Sequence, residues 1–234
     1  MNRIGDMKAV IVIRPHILQG SVLNKLKQNG FYPLDLPAAS LTSCQFDDME
    51  SDIAIFISQP SVMFGPEHLN TKKLIAVGQK TGAVASKKYG YTAITPQQQS
   101  SQGLLELPDL KAPLDQRIVI YCGQHHQDRL EKKLSERGAR VVIKTVYGLI
   151  PPNITPTYDV PQNGVIWATS FELLSMFKDY YIDKFQITCL KNYGILSSSV
   201  NQNQVQRLGF KGGFHPLDQP GEDTMIEELH RIDW

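Results

Sequence analysis

The chain of 234 residues has a hydrophobic content of 41% and a formal net charge of +1. This size and hydrophobic content suffice for one large core or two smaller ones, which excludes a disordered or fibrous protein. The small net charge provides no global field that would attract nucleic acid or a membrane surface, so we expect neither partner. An anionic ligand would have to be bound by local groups.

Apolar runs along the chain are short. The first covers residues 9–13 and ends at Arg14, so we interpret it as a strand rather than a signal peptide. No run approaches the roughly 20 apolar residues that cross a bilayer. Cys44, Cys122 and Cys189 form no CxxC pair, which fits a reducing compartment and gives no structural zinc site. We therefore expect a soluble, cytoplasmic protein.

Short apolar strand patterns alternate with helix patterns of about 10 to 15 residues. Three pairs of strand patterns resemble each other: residues 11–13 and 118–120, 53–57 and 165–168, and 74–78 and 195–197. The helix patterns after the last pair run to Gly90 and Gly209. This alternation predicts parallel sheets with helices on both faces. Two such sheets would enclose a cleft, and ligands bind at the carboxyl ends of parallel strands.

Prolines indicate where the chain passes between domains. Pro33 and Pro37 bracket one short segment, and Pro151-Pro152 begin a second proline-rich segment. Because proline favours extended chain, both segments are typical of stiff connectors rather than sheet centres. If the chain crosses at both, the first domain is discontinuous. The alternative is two tandem domains divided near residues 111–113, which the pattern slightly favours because each repeat then stays contiguous.

Eight short motifs, each weak alone, occur in order along nearly the whole chain. They are the first strand closing in Arg14-Pro15, Phe56-Ile57-Ser58, Ala76-Val77-Gly78 with Thr81, Gly103-Leu104-Leu105, Tyr121-Cys122-Gly123, Val146-Tyr147, Ala168-Thr169-Ser170 and Leu208-Gly209-Phe210. Together their order and spacing resemble the uroporphyrinogen-III synthase family.

The resemblance implies two parallel-sheet α/β domains, joined by a two-stranded connector and separated by a cleft. It therefore favours the discontinuous division over the tandem one. We expect residues 1–36 and 152–234 to form one domain and residues 39–146 to form the other. The connectors would be residues 33–40 and 145–152.

The resemblance also implies a reaction. The family cyclises hydroxymethylbilane to uroporphyrinogen III in tetrapyrrole biosynthesis, with inversion of the terminal pyrrole ring and loss of water. Since the same substrate closes without inversion when uncatalysed, the enzyme must hold a flexible chain in one geometry. No metal or organic cofactor is expected, and the partner would be this small tetrapyrrole, bound by a monomer.

Tyr147 is the expected catalytic residue. In the family a tyrosine at this place is proposed to assist departure of the hydroxyl, and a phenol can donate a proton to a leaving group. The alternative is a half-buried strand tyrosine, which β-propensity alone would explain.

The expected substrate contacts follow the ends of the predicted strands. Hydroxyls between a strand and a helix can cap the helix as well as meet a carboxylate, and an arginine can pair with a carboxylate or stay solvated. A plain turn is the alternative at residues 199–201. The expected contacts are Arg14, Ser58, Gly78, Thr81, Gly123, Thr169, Ser170, Ser199 and Asn201.

Other functional interpretations have less support in the sequence. His125-His126 could suggest a metal site, but adjacent histidines point apart on most backbones, so we expect none. The chain contains no GxGxxG, P-loop, HExxH or GxSxG motif, which argues against nucleotide, zinc-protease and hydrolase chemistry. A non-catalytic ligand-binding or regulatory module with the same fold remains an alternative, as does a two-domain solute-binding protein.

Overall fold

The computed structural model describes residues 8–14, 20–125, 128–156 and 159–233. Contacts divide the chain into two compact units. The first unit contains Met1–Leu41 and Ile150–Trp234, and the second contains Thr42–Leu149. No helix among the described residues is long and apolar enough to cross a membrane.

Short strands and helices alternate along both units, as the sequence pattern predicts. In chain order the strands are β1 (Ala9–Ile13), β2 (Tyr32–Leu34), β3 (Ser40–Ser43), β4 (Ser51–Phe56), β5 (Thr71–Ala76), β6 (Arg117–Gly123), β7 (Arg140–Ile150), β8 (Val165–Ala168), β9 (Gly194–Ser197) and β10 (Phe214–Pro216). The α-helices are α1 (Gly20–Gln28), α2 (Gln59–Met63), α3 (Gln79–Tyr89), α4 (Ser101–Leu105), α5 (Pro108–Lys111), α6 (Arg129–Glu136), α7 (Phe171–Phe177), α8 (Gln202–Arg207) and α9 (Glu222–Arg231). A π-helical segment, Lys178–Lys184, continues α7, and a 3₁₀ segment, Thr188–Asn192, precedes β9.

The first unit contains a five-stranded sheet in the order β10-β9-β8-β1-β2. All of its strand pairs are parallel. Every residue of β1 is buried because helices cover both faces of the sheet, so β1 is continuously apolar rather than alternating. Val10 and Val12 pack in one cluster with Trp167 of β8 and Met225 of α9.

The second unit contains a sheet in the order β3-β7-β6-β4-β5. The pairs of β4, β5, β6 and β7 are parallel. Alternate residues of β6 pack on opposite faces. Ile118 and Ile120 lie in the cluster with α4, α5 and α6, and Val119 and Tyr121 lie in the cluster with α2 and α3.

The three repeated strand patterns occupy equivalent places in the two sheets. The first sheet contains the order β9-β8-β1-β2, and the second contains β5-β4-β6-β7. The sequence pairs β1 with β6, β8 with β4, and β9 with β5, and each pair falls at matching positions. The parallel α/β architecture is therefore confirmed.

Strand pairing contradicts the tandem division that the pattern alone slightly favours. Ile11 of β1 pairs with Ile166 of β8, so a boundary near residues 111–113 would separate neighbouring strands of one sheet. The reason is that β-pairing is set by burial of the whole sheet and not by contiguity of the repeat. The exact domain limits given above stay a prediction.

Both proline-rich segments include strand residues. Pro33 lies within β2, which is an edge strand, where a missing N–H is tolerated. The second segment is strand up to Ile150, because β7 continues through it and β3 is its neighbour in the sheet. Only after Ile150 do Pro151-Pro152 end the strand.

Candidate active site

Four of the expected residues of the second unit lie at the carboxyl edge of its sheet. Ser58 follows β4, Gly78 follows β5, and Gly123 ends β6. Tyr147 lies in β7 opposite Gly123. Because the strands are parallel, their carboxyl ends share one edge, and this is where ligands bind in such sheets.

Ser58 is the N-cap of α2. Ser61 N–H donates to Ser58 Oγ at 3.1 Å, and Ser58 N–H donates to Ser61 Oγ at 3.2 Å, so the two residues form a capping box. The capping interpretation of Ser58 is therefore correct. In addition, Ser58 Oγ lies 3.3 Å from Tyr147 Oη, and either hydroxyl can be the donor.

Gly123 provides the space that the Tyr147 ring occupies. A Cβ atom at Gly123 would lie 2.6 Å from Tyr147 Cζ, closer than real Cβ contacts allow. The register of β6 and β7 shifts between Cys122 and Gly123, which brings Gly123 opposite Tyr147. The Phe64 ring lies 6.2 Å from the tyrosine ring, centroid to centroid. Tyr147 is half-buried.

Gly78, and not Thr81, is the N-cap of α3. The assignment of Thr81 to a strand-helix junction is wrong, because α3 begins at Gln79 and Thr81 lies inside its first turn, only 6% exposed. The side-chain carbonyl of Gln99 caps this helix instead, accepting from Gln79 N–H at 3.0 Å. A Cβ at Gly78 would lie 2.3 Å from Gln99 Oε1, so the glycine permits this cap.

In the first unit, hydroxyl groups connect the carboxyl ends of three neighbouring strands. Thr169 Oγ1 donates to Ile13 O at 2.8 Å, and Ser199 Oγ donates to Thr169 O at 2.8 Å. The buried Ser197 donates to Ala168 O at 2.7 Å. These bonds satisfy backbone oxygens just where the ladders of β1 and β8 end.

Ser170 and Asn201 are helix caps. Ser170 Oγ accepts from Leu173 N–H at 3.2 Å and begins α7. Asn201 Oδ1 accepts from Gln204 N–H, and Gln204 Oε1 accepts from Asn201 N–H, each at 3.0 Å. Asn201 therefore forms a capping box rather than a plain turn.

Arg14 already pairs with a carboxylate of the chain itself. Its Nη1 donates to Glu222 Oε1 at 3.0 Å, and its guanidinium carbon lies 4.5 Å from the centroid of the Trp167 ring. Both charged side chains are largely covered, with 22% and 17% exposure. The alternative of a solvated arginine is therefore wrong, since the guanidinium is paired and stacked.

The histidine and cysteine residues that the structure describes are not grouped into a metal site. His125 is exposed, and His126 lies outside the described residues. Within the part of the chain that the structure describes, no group of three or more His, Cys, Asp or Glu side chains is arranged to bind a metal ion. Burial raises the pKa of Cys122 to about 11, so this thiol stays protonated near neutral pH.

Five residues that contribute to the site were not predicted from the sequence: Ser61, Gln99, Ser197, Gln204 and Glu222. Gln204 could have been recognised, because the run from Asn201 to Gln204 is an N-x-x-Q capping box. No sequence pattern indicated the roles of Gln99 and Glu222. Gln99 reaches its partner across a loop, and Glu222 pairs with a residue of a distant segment.

Comparisons with known proteins identify the family and the fold. A family model described as uroporphyrinogen-III synthase HemD matches residues 20–162. A uroporphyrinogen-III synthetase from Helicobacter pylori has a similar structure, with a TM-score of 0.62 and 13% identity over 97% of this chain and 100% of that chain. A mutant uroporphyrinogen III synthase from Thermus thermophilus gives a TM-score of 0.49 and 15% identity over 96% of this chain and 98% of that chain. No curated protein matched the sequence.

The Helicobacter structure shows a shared two-domain α/β fold, and the family match covers more than half of the chain. The chain therefore belongs to the uroporphyrinogen-III synthase family, whose members are cyclising lyases of tetrapyrrole biosynthesis, including that of heme.

Proposed function

We propose that the chain carries out the family's reaction on hydroxymethylbilane with Tyr147 as the group that assists departure of the terminal hydroxyl. Family membership supports the reaction. One observation supports the residue: the Tyr147 phenol is held at the carboxyl edge of the sheet, with Gly123 beneath its ring and Ser58 against its oxygen.

The proposed first step is an acid-assisted loss of water. The bond between the terminal carbon and its hydroxyl breaks, and the oxygen leaves with the electron pair. A proton from Tyr147 turns the leaving group into water, while the pyrrole nitrogen lone pair stabilises the carbon as a cation. Transfer of the pyrrole N–H proton to the tyrosinate then gives the neutral azafulvene and restores the phenol, so Tyr147 starts and ends in the same protonation state.

Ring closure with inversion is a task of geometry. The azafulvene carbon bonds to the far end of the chain through a spiro intermediate, which requires one folded conformation of the substrate. An enzyme gains most by binding that conformation more tightly than others. We therefore expect isomer selection to depend on substrate folding and not on the phenol.

The proposed substrate contacts differ in what they can offer a carboxylate, which needs hydrogen-bond donors. The hydroxyls of Thr169 and Ser199 donate to backbone oxygens of the chain. Ser170 and Asn201 cap their helices as acceptors, and those bonds leave the Ser170 hydroxyl proton and the Asn201 amide hydrogens for a ligand. We therefore favour Ser170 and Asn201 over Thr169 and Ser199.

Arg14 can bind a substrate carboxylate only alongside or in place of Glu222. Gly78 and Gly123 contribute through the space they leave, and the burial of Thr81 makes it the weakest candidate. We also propose that the chain acts in the cytoplasm as a monomer. We propose no metal or organic cofactor, since the reaction is a net loss of water without a change in oxidation state.

Replacing Tyr147 by phenylalanine tests the catalytic assignment. Tyr147→Phe keeps the ring above Gly123 and removes one hydroxyl, so we expect the fold and the affinity for product to be retained. Turnover should fall by up to about 10²-fold, the lower end for general acids, because azafulvene formation also proceeds without a catalyst. Tyr91→Phe is the matched control, since it removes a half-buried hydroxyl of the same unit, which donates to Leu69 O.

The two variants separate the outcomes. Slow turnover in Tyr147→Phe with normal turnover in Tyr91→Phe supports the assignment. Wild-type turnover in Tyr147→Phe would show that the phenol is a packing group and that catalysis rests on conformation alone.

A further inference from the structure

Ser58 contacts Tyr147, the proposed acid. This contact offers an explanation of Ser58 other than the expected contact with substrate. Ser58 Oγ accepts one N–H, from Ser61 at 3.1 Å, and lies 3.3 Å from Tyr147 Oη. Building on the proposed role of Tyr147, we infer that Ser58 is a positioning residue: its hydroxyl donates to the phenol oxygen and so directs the phenol proton toward the substrate.

The capping box determines which way the Ser58 proton points. Ser61 Oγ donates its single proton to Ser58 O at 2.7 Å and accepts Ser58 N–H at 3.2 Å. The hydrogen bonds described between the two serines do not include one between their hydroxyl oxygens, so the Ser58 proton is not directed at Ser61. Ser61 N–H occupies a lone pair of Ser58 Oγ. The remaining acceptor in this group is Tyr147 Oη, and donation from Ser61 N–H polarises the Ser58 hydroxyl toward it.

The direction of the shared hydrogen bond decides what Tyr147 can do. If Tyr147 donated to Ser58, its only proton would point at α2 and be lost to a leaving group. If Ser58 donates, the phenol proton is directed elsewhere, and the hydrogen bond stabilises negative charge on the oxygen as the proton leaves. The second arrangement is the one that acid assistance requires.

The ring and the proton are therefore held by different residues. Gly123 and Phe64 determine where the ring lies. Ser58 forms a hydrogen bond with the Tyr147 hydroxyl and so restrains its rotation about the bond to the ring. Loss of Ser58 should thus leave the ring in place and slow the chemical step, in addition to removing the cap of α2.

Four variants test this inference in the full-length chain. Ser58→Ala removes both the helix cap and the donor. Ser58→Asp keeps a capping oxygen but, when ionised, has no proton to donate, whereas Ser58→Thr keeps both functions. Ser100→Ala is the matched control, since Ser100 caps α4 in the same way, through a bond from Gly103 N–H at 3.1 Å.

We expect Ser58→Ala and Ser58→Asp to lower kcat by about 3- to 10-fold, the range of one hydrogen bond, with KM for hydroxymethylbilane little changed. Ser58→Thr should restore most of kcat. Ser100→Ala should lower the melting temperature by about as much as Ser58→Ala and leave kcat unchanged. A merely structural role would instead make kcat follow the loss of stability in both alanine variants.

A double variant distinguishes failure of this inference from failure of the Tyr147 assignment. In the Tyr147→Phe background, Ser58→Ala should have no further effect on kcat, because its partner hydroxyl is gone. Suppose that Tyr147→Phe is slow. If Ser58→Ala then lowers kcat further in the double variant, or has no effect as a single variant, Ser58 does not act through Tyr147 and the inference is wrong. If Tyr147→Phe itself turns over at the wild-type rate, the Tyr147 assignment fails first.

Discussion

Gly123 and Tyr147 face each other across β6 and β7 so closely that only a glycine fits beneath the ring. A Cβ atom at Gly123 would lie 2.8 Å from Tyr147 Cε2 and 2.9 Å from its hydroxyl oxygen. The position of the phenol therefore depends on a residue with no side chain. This relationship explains why a glycine lies at the end of β6.

Gly123→Ala should displace the ring and slow the reaction. We expect turnover to fall by about 10- to 100-fold, because a displacement of about 1 Å in a catalytic group has that effect. Gly148→Ala is the control: its Cβ would lie 2.5 Å from Gln124 Oε1, the end of an exposed side chain that can move away. Turnover measurements on both variants, with circular dichroism to verify folding, check this. Equal activity of the two variants would contradict the role of Gly123.

Tyr121 should make the second unit sensitive to alkaline pH. Burial raises its pKa to about 12 from an ordinary value of 10.0, and its ring stacks on Phe56 at 4.7 Å between centroids. Because the folded state disfavours the ionised phenol, its contribution to stability is complete below pH 10 and is lost as the pH rises toward 12.

Tyr121→Phe should reduce this loss while keeping the stacked ring. Between about pH 9 and pH 11 the free energy of unfolding of the wild type should fall by about 1 kcal/mol more than that of the variant. Denaturant unfolding at several pH values measures the difference. Parallel pH dependences in the two proteins would show that Tyr121 ionises without a penalty.

Repetition in the sequence was sufficient to predict six strands of parallel sheets, but not which strands share a sheet; the six are β1, β4, β5, β6, β8 and β9. Each of these six strands is a short apolar run, and burial of both faces makes such runs recognisable. The helix ends were also visible: α3 and α8 are followed by Gly90 and Gly209, which have φ values of +76° and +80°.

The partners of the polar side chains could not be predicted in the same way. Arg14 and Glu222 are more than 200 residues apart, and nothing local in either segment shows that they pair. Thr81 was misplaced because the start of α3 depends on Gln99, which reaches the helix across a loop. Hydrogen bonds between distant segments are products of the fold and leave little trace in sequence patterns.

The second unit should fold alone. Its sheet, from β3 to β7, lies within residues 40–150, so a fragment with these limits should melt cooperatively. A fragment of residues 1–113 should not, because it contains β1 without β8 and β4 without β6. Thermal melts followed by circular dichroism distinguish them. A cooperative transition in the 1–113 fragment alone would refute the discontinuous division.

The most direct test of the account is the isomer that the chain produces. Hydroxymethylbilane generated enzymatically is given to the wild-type protein and to Tyr147→Phe, beside a control without enzyme, and the oxidised products are separated by chromatography. We predict uroporphyrinogen III from the wild type and, more slowly, from Tyr147→Phe, because substrate folding selects the isomer. The control should give the uninverted I isomer. Only the I isomer from the wild type would contradict the account and leave a non-catalytic module with the same fold.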